Sequence, residues 1–193
     1  MINFKRFIEN YTEIPDSDWQ IITQVFEIRE YVKNDSLLEE GSVCRYFYFL
    51  EHGLIRFFHY INGEDLTRTF CIAPYCFTSK ASFRKQVAAD ENIQVLEKSV
   101  IWRVNYENYQ KLLQLNSWNV FIRKLLGEIQ EFAEEMFLEA KTETAEIRYL
   151  KLLDRYPVAL IQRIPLKHIS SYLGIAPQSL SRIRKKIHQE RKS

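Results

Sequence analysis

Glycine and proline are scarce in this sequence, with five of each among 193 residues. Many nucleotide-using enzymes depend on glycine-rich loops, and no P-loop or dinucleotide fingerprint occurs here. The GxSxG and HExxH signatures of hydrolases and metalloproteases are also missing. We therefore expect a protein that is not an enzyme. A composition of 46% hydrophobic and 27% charged residues is typical of a folded globular chain.

Long apolar segments are missing as well. Residues 1–6 lack the apolar core of a signal peptide, and no run of 18 apolar residues is available to cross a membrane. We expect a cytoplasmic protein with no membrane partner.

Cysteine and histidine are too few and too scattered to indicate a metal site. Cys44, Cys71 and Cys76 are an odd number without a CxxC spacing, which is neither a disulfide framework nor a four-thiolate cluster. The four histidines form no evident ligand group. We expect no metal and no cofactor, and we interpret the cysteines as buried small hydrophobic residues.

Charge is distributed unevenly along the chain. Residues 162–193 hold eight Lys and Arg against one acid, a net charge of +7. The other 161 residues hold 19 Lys and Arg against 24 acids, a net charge of −5. A basic segment on an acidic body indicates either a surface for a polyanion or a solvated basic tail, and charge alone leaves both open.

The period of the apolar residues changes twice along the sequence. Residues 3–26 have the spacing of short helices, and seven short Tyr-, Phe-, Val- and Ile-rich runs follow between Ile28 and Val104. Asn62-Gly63 between two of these runs is a strong hairpin signal. The middle of the chain is therefore predicted to be an antiparallel sandwich or barrel-like roll.

From Tyr106 onward the pattern is helical. Six apolar residues step by four, three, four, three and four, a heptad-like seam that would suit a subunit interface: Trp118, Ile122, Leu125, Ile129, Phe132 and Met136. An ordinary core helix in a monomer is the alternative. A plausible hinge at 139–143 precedes a helix that Thr144 can cap.

Residues 165–187 have the spacing of a helix-turn-helix. Pro165 opens a first helix, Gly174 suits the left-handed residue of the turn, and Pro177 opens a second helix whose apolar residues face inward. Eight residues remain as candidate DNA contacts: Lys167, Pro177, Gln178, Ser179, Ser181, Arg182, Lys185 and Lys186. The alternative is a helical hairpin that is basic without binding DNA.

The whole chain resembles the Crp/Fnr family of bacterial transcription regulators, in particular its Bacteroidetes-type members. Residues 46–56 resemble the core of the family's β-roll, and residues 146–153 with the helix-turn-helix resemble its C-terminal domain. The resemblance implies an α+β protein with a cyclic-nucleotide-binding-like β-roll at 1–116. It further implies a dimerisation helix with a hinge at 117–141 and a helix-turn-helix domain at 142–193.

The effector segment departs from the family pattern. Cyclic AMP-binding members carry a Phe-Gly-Glu stretch followed by Arg-Ser or Arg-Thr, whereas residues 74–85 contain no glycine and no acid occurs between Asp65 and Asp90. We therefore expect no cyclic AMP binding, and either another effector or none. The speculative pocket residues are Phe77, Ser79, Lys80, Ser82 and Arg84.

The resemblance implies a homodimer that binds double-stranded DNA and regulates transcription, with RNA polymerase as a candidate further partner. Many members place a polar residue where Pro177 stands, so we expect an operator different from theirs. A wing hairpin would follow the second helix in the family, and the sequence printed here ends at Ser193 before one. The alternative function is a ligand-binding β-roll without specific DNA recognition.

Overall fold

The computed structural model describes residues 2–190, apart from the side chains of Ile2, Asn3 and His188. The chain divides into two compact units. The first comprises the residues up to His59 together with Thr69–Gln130, and the second comprises Tyr60–Arg68 together with the residues from Glu131 onward. The division thus falls inside the long helix rather than at its ends, and the second unit includes part of a strand pair from the middle of the chain.

Within residues 2–190 the chain forms eight strands and nine helices. The strands are β1 Glu27–Tyr31, β2 Ser36–Leu38, β3 Tyr46–His52, β4 Leu54–Ile61, β5 Glu64–Ile72, β6 Tyr75–Phe77, β7 Asn92–Val95 and β8 Ser99–Asn105. The helices are α1 Ile2–Glu9, α2 Asp16–Val25, α3 Lys80–Lys85, α4 Tyr106–Leu112, α5 Asn116–Thr142, α6 Ala145–Arg155, α7 Val158–Ile161, α8 Leu166–Leu173 and α9 Pro177–Glu190.

The strands form two four-stranded sheets, in the orders β1-β8-β3-β6 and β2-β7-β4-β5. Five of the strand pairings are antiparallel, two of them with a shift in register, which confirms the predicted antiparallel β architecture. Asn62 and Gly63 have φ angles of 54° and 83° between β4 and β5. Two successive positive φ angles are what a two-residue hairpin turn requires, so the predicted hairpin is present.

Aromatic side chains dominate the core of the first unit. Phe4 of α1 stacks on Phe49 of β3 with ring centroids 4.2 Å apart. Trp102 of β8 and Trp118 of α5 are almost completely buried in the same cluster. The first turns of α5 therefore belong to this core.

This packing corrects the first three of the six residues in the predicted subunit seam. Trp118, Ile122 and Leu125 retain 0%, 6% and 2% of their exposure within a single chain, so they are not available to a second subunit. Ile129 packs against the same core. Phe132 and Met136 lie in the second unit and contact their own chain, Met136 through Arg155 and Tyr172. The heptad spacing reflects packing within the chain, because a periodic apolar face does not specify which surface it covers.

The second unit has its own small core. It is built from side chains of α6 to α9 that are at most 7% exposed: Tyr149, Leu152, Ile161, Ile164, Ile169, Leu173, Leu180 and Ile187. The β5 segment of this unit is held to α8 by Ser171, whose hydroxyl donates to the Asp65 carbonyl at 2.8 Å and accepts from the Thr67 N–H at 2.9 Å.

Candidate nucleic-acid interface

Helices α8 and α9 are joined by a tight turn at residues 174–176. Gly174 has φ 68°, the left-handed conformation that glycine adopts without a Cβ penalty. The N–H of Ile175 donates to the Ser170 carbonyl, and the N–H of Gly174 donates to the Ser171 carbonyl, each at 3.0 Å. These two bonds form a Schellman motif, which satisfies the last carbonyls of α8 and turns the chain sharply into α9.

The inner faces of α8 and α9 pack against each other as the sequence predicts. Leu180 and Ile187 of α9 are 0% and 7% exposed, and Leu173 of α8 is fully buried. Ser170 is also buried, and its hydroxyl donates to the Lys167 carbonyl at 3.0 Å, so its polar group is satisfied inside its own helix. A small side chain at this position allows the two helices to approach closely.

The opposite face of α9 carries polar side chains that point to solvent. Gln178, Ser181, Arg182 and Lys185 are exposed and make no side-chain hydrogen bond or ion pair with any described residue. Residues at i and i+4 share a face of a helix, so Gln178 and Arg182 project together. Lys167 on α8 is likewise exposed and unpaired within the described range. This face offers hydrogen-bond donors and positive charge that the protein itself leaves unused.

Two of the predicted contacts differ from this pattern. Lys186 lies 2.7 Å from the Glu146 carboxylate, and that hydrogen bond raises the pKa of Lys186. Ser179 is half-buried. Neither side chain presents a free polar group as fully as Arg182 does, and Lys186 brings a charge that is partly compensated by its own protein.

Helix α6 supports the pair α8–α9 through residues to which the sequence assigned no role. Arg148 donates from Nη2 to the Leu173 carbonyl at 2.6 Å, at the end of α8. Arg184 of α9 lies with its guanidinium carbon 5.5 Å from the Tyr149 ring centroid and donates from Nε to the Tyr149 hydroxyl at 3.0 Å. These contacts link residues 25 and 35 positions apart, so no local pattern could have revealed them.

The predicted effector residues of the β-roll differ in their exposure to solvent. Phe77 stacks on Tyr48 with ring centroids 4.9 Å apart, while Lys80 and Arg84 are exposed on α3. Ser82 is 1% exposed, and its hydroxyl accepts from the Cys44 N–H at 2.8 Å and donates to the Val87 carbonyl at 2.5 Å. Ser79 is also buried. The segment fills the inside of the roll with its own side chains and turns its cations outward.

Helix α5 has a second, mostly apolar stripe beside the buried seam. Its members are exposed and step by four, three, four and three: Leu126, Gln130, Ala133, Phe137 and Ala140. Phe137 keeps 62% of its exposure and the neighbouring Leu138 keeps 61%. An exposed stripe with a heptad-like spacing on one helix is typical of a helix–helix contact.

The described residues contain no group of three or more His, Cys, Asp or Glu that could hold a metal ion. None of the described helices is both long enough and apolar enough to span a membrane.

Comparison with known proteins agrees with this architecture. Residues 28–116 match the family model of the cyclic nucleotide-binding domain. That range covers β1 from its second residue, the other seven described strands, α3, α4 and the first residue of α5. No curated protein matches the chain.

Solved structures share the fold of the cyclic nucleotide-binding domain and of the helices that follow it. A regulator of the crp/fnr family from Eubacterium rectale has a TM-score of 0.72 at 12% identity, covering 94% of this chain and 88% of its own. A CooA mutant from Carboxydothermus hydrogenoformans has 0.70 at 15% identity, covering 95% and 83%. FixK2 from Bradyrhizobium japonicum has 0.70 at 19% identity, covering 86% of both chains. The chain is therefore similar in structure to regulators of the Crp/Fnr family over most of its length.

Proposed function

We propose that this protein is a transcription regulator of the Crp/Fnr type that binds double-stranded DNA as a homodimer and reads sequence with α9. The observation that carries the proposal is the set of exposed, unpaired side chains on the outer face of α9. Arg can hold the O6 and N7 of guanine, and Gln can hold the N6 and N7 of adenine. Gln178 and Arg182 share a face, so one α9 helix would present both readers to a major groove.

The cations around these readers suit the phosphate backbone. Lys185 and Lys167 are exposed and without a partner among the described residues. Phosphate contacts give affinity and orientation without sequence information, whereas base contacts specify the sequence. Lys186 would contribute less, because Glu146 already compensates its charge.

The dimer would use the exposed stripe of α5 that contains Phe137, not the buried seam. The positions that flank this stripe on α5 are Ile129, Met136, Gly127, Glu134 and Lys141. A parallel pair of α5 helices would therefore bring no like charges directly opposite one another along the edges of the stripe. A two-fold pair of α9 helices would then meet two half-sites about one DNA turn apart, roughly 34 Å. We further propose that the protein acts in the cytoplasm on RNA polymerase-dependent transcription, with an effector other than cyclic AMP or with none.

The test begins with duplexes selected from a random pool by the full chain. Titrations then compare the selected duplex with a scrambled one at several salt concentrations, for the wild type and for two variants. Arg182→Ala should cost about 1–3 kcal/mol on the selected duplex and relax the preference at one base pair in each half-site. Lys185→Ala is the matched control, a cation one turn away that should weaken both duplexes alike and shallow the salt slope by about one unit.

The contrary results are distinct. If Arg182→Ala weakened both duplexes equally, Arg182 would be a phosphate contact and the reading face would be misassigned. If the wild type selected no sequence and bound all duplexes with equal, salt-sensitive affinity, the protein would not be a sequence-specific regulator.

A further inference from the structure

We propose that Glu139 is a positioning residue that fixes the last turns of α5 against the pair α8–α9 and so sets the spacing between the two DNA half-sites. The inference rests on the proposed function, because spacing has a meaning only for a dimer that binds paired sites. Glu139 would thus influence which operators the dimer prefers without touching DNA itself.

The Glu139 carboxylate is the centre of a clamp between α5 and α6. The residue is 5% exposed, in the last turns of α5. Lys151 donates to it from Nζ at 2.9 Å, and Arg155 donates from Nη1 at 3.2 Å and from Nη2 at 2.5 Å. Two cations from successive turns of α6 therefore hold one buried carboxylate of α5. Only residues 143 and 144 connect the two helices, so the clamp fixes an angle that the short link alone would leave free.

Two further carboxylates surround the clamp, but they are placed differently. Glu135 pairs with Arg155 at 2.8 Å and is 57% exposed, and Glu143 pairs with Lys151 at 2.6 Å and is 21% exposed. Exposed ion pairs contribute little because water screens them. Removing one member of a buried pair is costly because the remaining charge is left without compensation. Glu139 is therefore the residue on which the geometry of this joint depends most.

Burial raises the pKa of the Glu139 carboxyl, but the hydrogen bonds from Arg155 and Lys151 outweigh burial and hold that pKa below its usual value. Hydrogen bonds to Glu143 and to Glu139 raise the pKa of Lys151. All three groups therefore remain charged at neutral pH, and the clamp is closed under physiological conditions.

Helix α6 transmits the orientation that Glu139 imposes. Other residues of α6 bind the DNA-reading pair, Arg148 through the Leu173 carbonyl at the end of α8 and Tyr149 through Arg184 of α9. Glu146 adds an exposed contact to Lys186. A tilt of α6 relative to α5 would therefore move α8 and α9 together as one body, and in a dimer it would change the distance between the two reading helices.

The consequence for DNA follows from helical geometry. Inserting one base pair between two half-sites moves them about 3.4 Å apart and rotates one about 35° around the axis of the duplex. A joint held by a buried carboxylate tolerates little of that movement. Without this carboxylate the joint would keep the exposed pairs, the short link and the contacts of Met136 with Arg155 and Tyr172, and it should tolerate more of that movement. The property that should change is therefore the preference of the dimer for one spacer length over another.

The experiment uses the full chain and the selected palindrome with its spacer shortened by one base pair, unchanged, or lengthened by one or two. We expect the wild type to prefer one spacer by about tenfold or more, and Glu139→Gln to reduce that preference severalfold. Affinity for a duplex with a single half-site should stay within about twofold, because Glu139 contacts no DNA-reading residue. Glu135→Gln is the matched control, a carboxylate on the same helix that pairs with the same arginine but is exposed, and it should keep the spacer preference of the wild type.

A thermal melt of each variant accompanies the titrations. Should Glu139→Gln fail to fold, Lys151→Gln removes one of the two cations, leaves the Arg155 pair in place, and should give a partial loss of the spacer preference. An unchanged spacer preference in a folded variant would overturn the inference and leave the proposed function standing. An equal loss on every duplex, including the single half-site, would also overturn it, because that result describes general destabilisation. Absence of specific binding by the wild type would overturn the proposed function and the inference together.

Discussion

The segment around α3 and the outer face of α9 are both polar stretches that the sequence marks as functional, yet the structure uses them in opposite ways. The Ser82 hydroxyl in α3 is buried and engaged in two hydrogen bonds within its own domain. Gln178 and Arg182 in α9 are exposed and engage no described residue. A polar group that is satisfied inside the protein stabilises the fold, whereas one that is left unsatisfied at the surface is available to a partner.

The contrast extends to the cations. Lys80 and Arg84 of α3 are exposed, whereas the neighbouring Ser79 and Ser82 are buried. On α9 the cations and the amide lie on one face with regular helical spacing. Charged side chains can recognise a partner only where the backbone brings them together on one surface. For that reason α9 supports a functional assignment and α3 does not.

The largest expected effect that tests this contrast is a change in the free energy of unfolding when the buried hydroxyl of α3 is removed. Ser82→Ala should lower the free energy of unfolding by about 1–3 kcal/mol, because the buried Cys44 N–H and the Val87 carbonyl both lose their partner. Urea unfolding followed by tryptophan fluorescence measures this, since Trp102 and Trp118 lie in the same unit.

Ser79→Ala is the matched control, because Ser79 is equally buried but its hydroxyl makes no side-chain hydrogen bond with the described residues. It should cost less than Ser82→Ala. Arg182→Ala should change stability by no more than about 0.5 kcal/mol, as expected for an exposed site. Equal stability losses for Ser82→Ala and Arg182→Ala would remove the distinction between satisfied and available polar groups.

How far the sequence predicts this molecule depends on the range of the interactions. The pair α8–α9 could be predicted because Gly174, Pro177 and the inward apolar residues lie within one short segment and act on their immediate neighbours. The hairpin at Asn62-Gly63 is local in the same sense. Strand β6 was not predicted, because its three residues, which pair with β3, are too few to show an alternation of apolar and polar side chains. Helix α3 was not predicted either.

The features that the sequence did not predict are those that depend on contacts between segments far apart in the chain. The apolar seam of α5 was visible as a period, but only the packing of Trp118 against Phe4 and Phe47 shows that it covers the chain's own core. The clamp at Glu139 unites charges 12 and 16 positions apart on two helices. Charged residues at such distances are common in any sequence, and nothing local marks which of them will meet.

A smaller effect should appear when the pH is lowered. The folded-state pKa of Glu139 is below its usual value of 4.5, so its contribution to stability is present above the unfolded pKa and is lost as the pH falls through the folded pKa. Lys151 and Arg155 have raised pKa values and stay charged throughout this acidic range. The difference in unfolding free energy between the wild type and Glu139→Gln should therefore be largest near neutral pH and shrink below about pH 4.5.

The measurement is a series of urea titrations from pH 7 to pH 3 on both proteins, compared with Glu135→Gln. Glu135 is more exposed, so its difference from the wild type should be small at every pH. A difference for Glu139→Gln that grew toward acid would contradict a depressed pKa and would indicate a carboxyl that is already protonated in the folded protein.

The smallest expected effect is the response to cyclic AMP, for which we predict none. Residues 28–116 match the cyclic nucleotide-binding domain, but the family's ribose-anchoring acid has no counterpart between Asp65 and Asp90. The Ser82 hydroxyl is occupied by Cys44 and Val87, and Lys80 and Arg84 are exposed on α3 rather than gathered beside it. Burying a ribose hydroxyl and a cyclic phosphate without partners would cost several kcal/mol, which exceeds what ring stacking alone returns. Calorimetry of the full chain should record only the heat of dilution, and the affinity for the selected duplex should be the same with and without cyclic AMP. A micromolar affinity would contradict the contrast between α3 and α9, because it would require the α3 segment to release its own hydrogen bonds to a ligand.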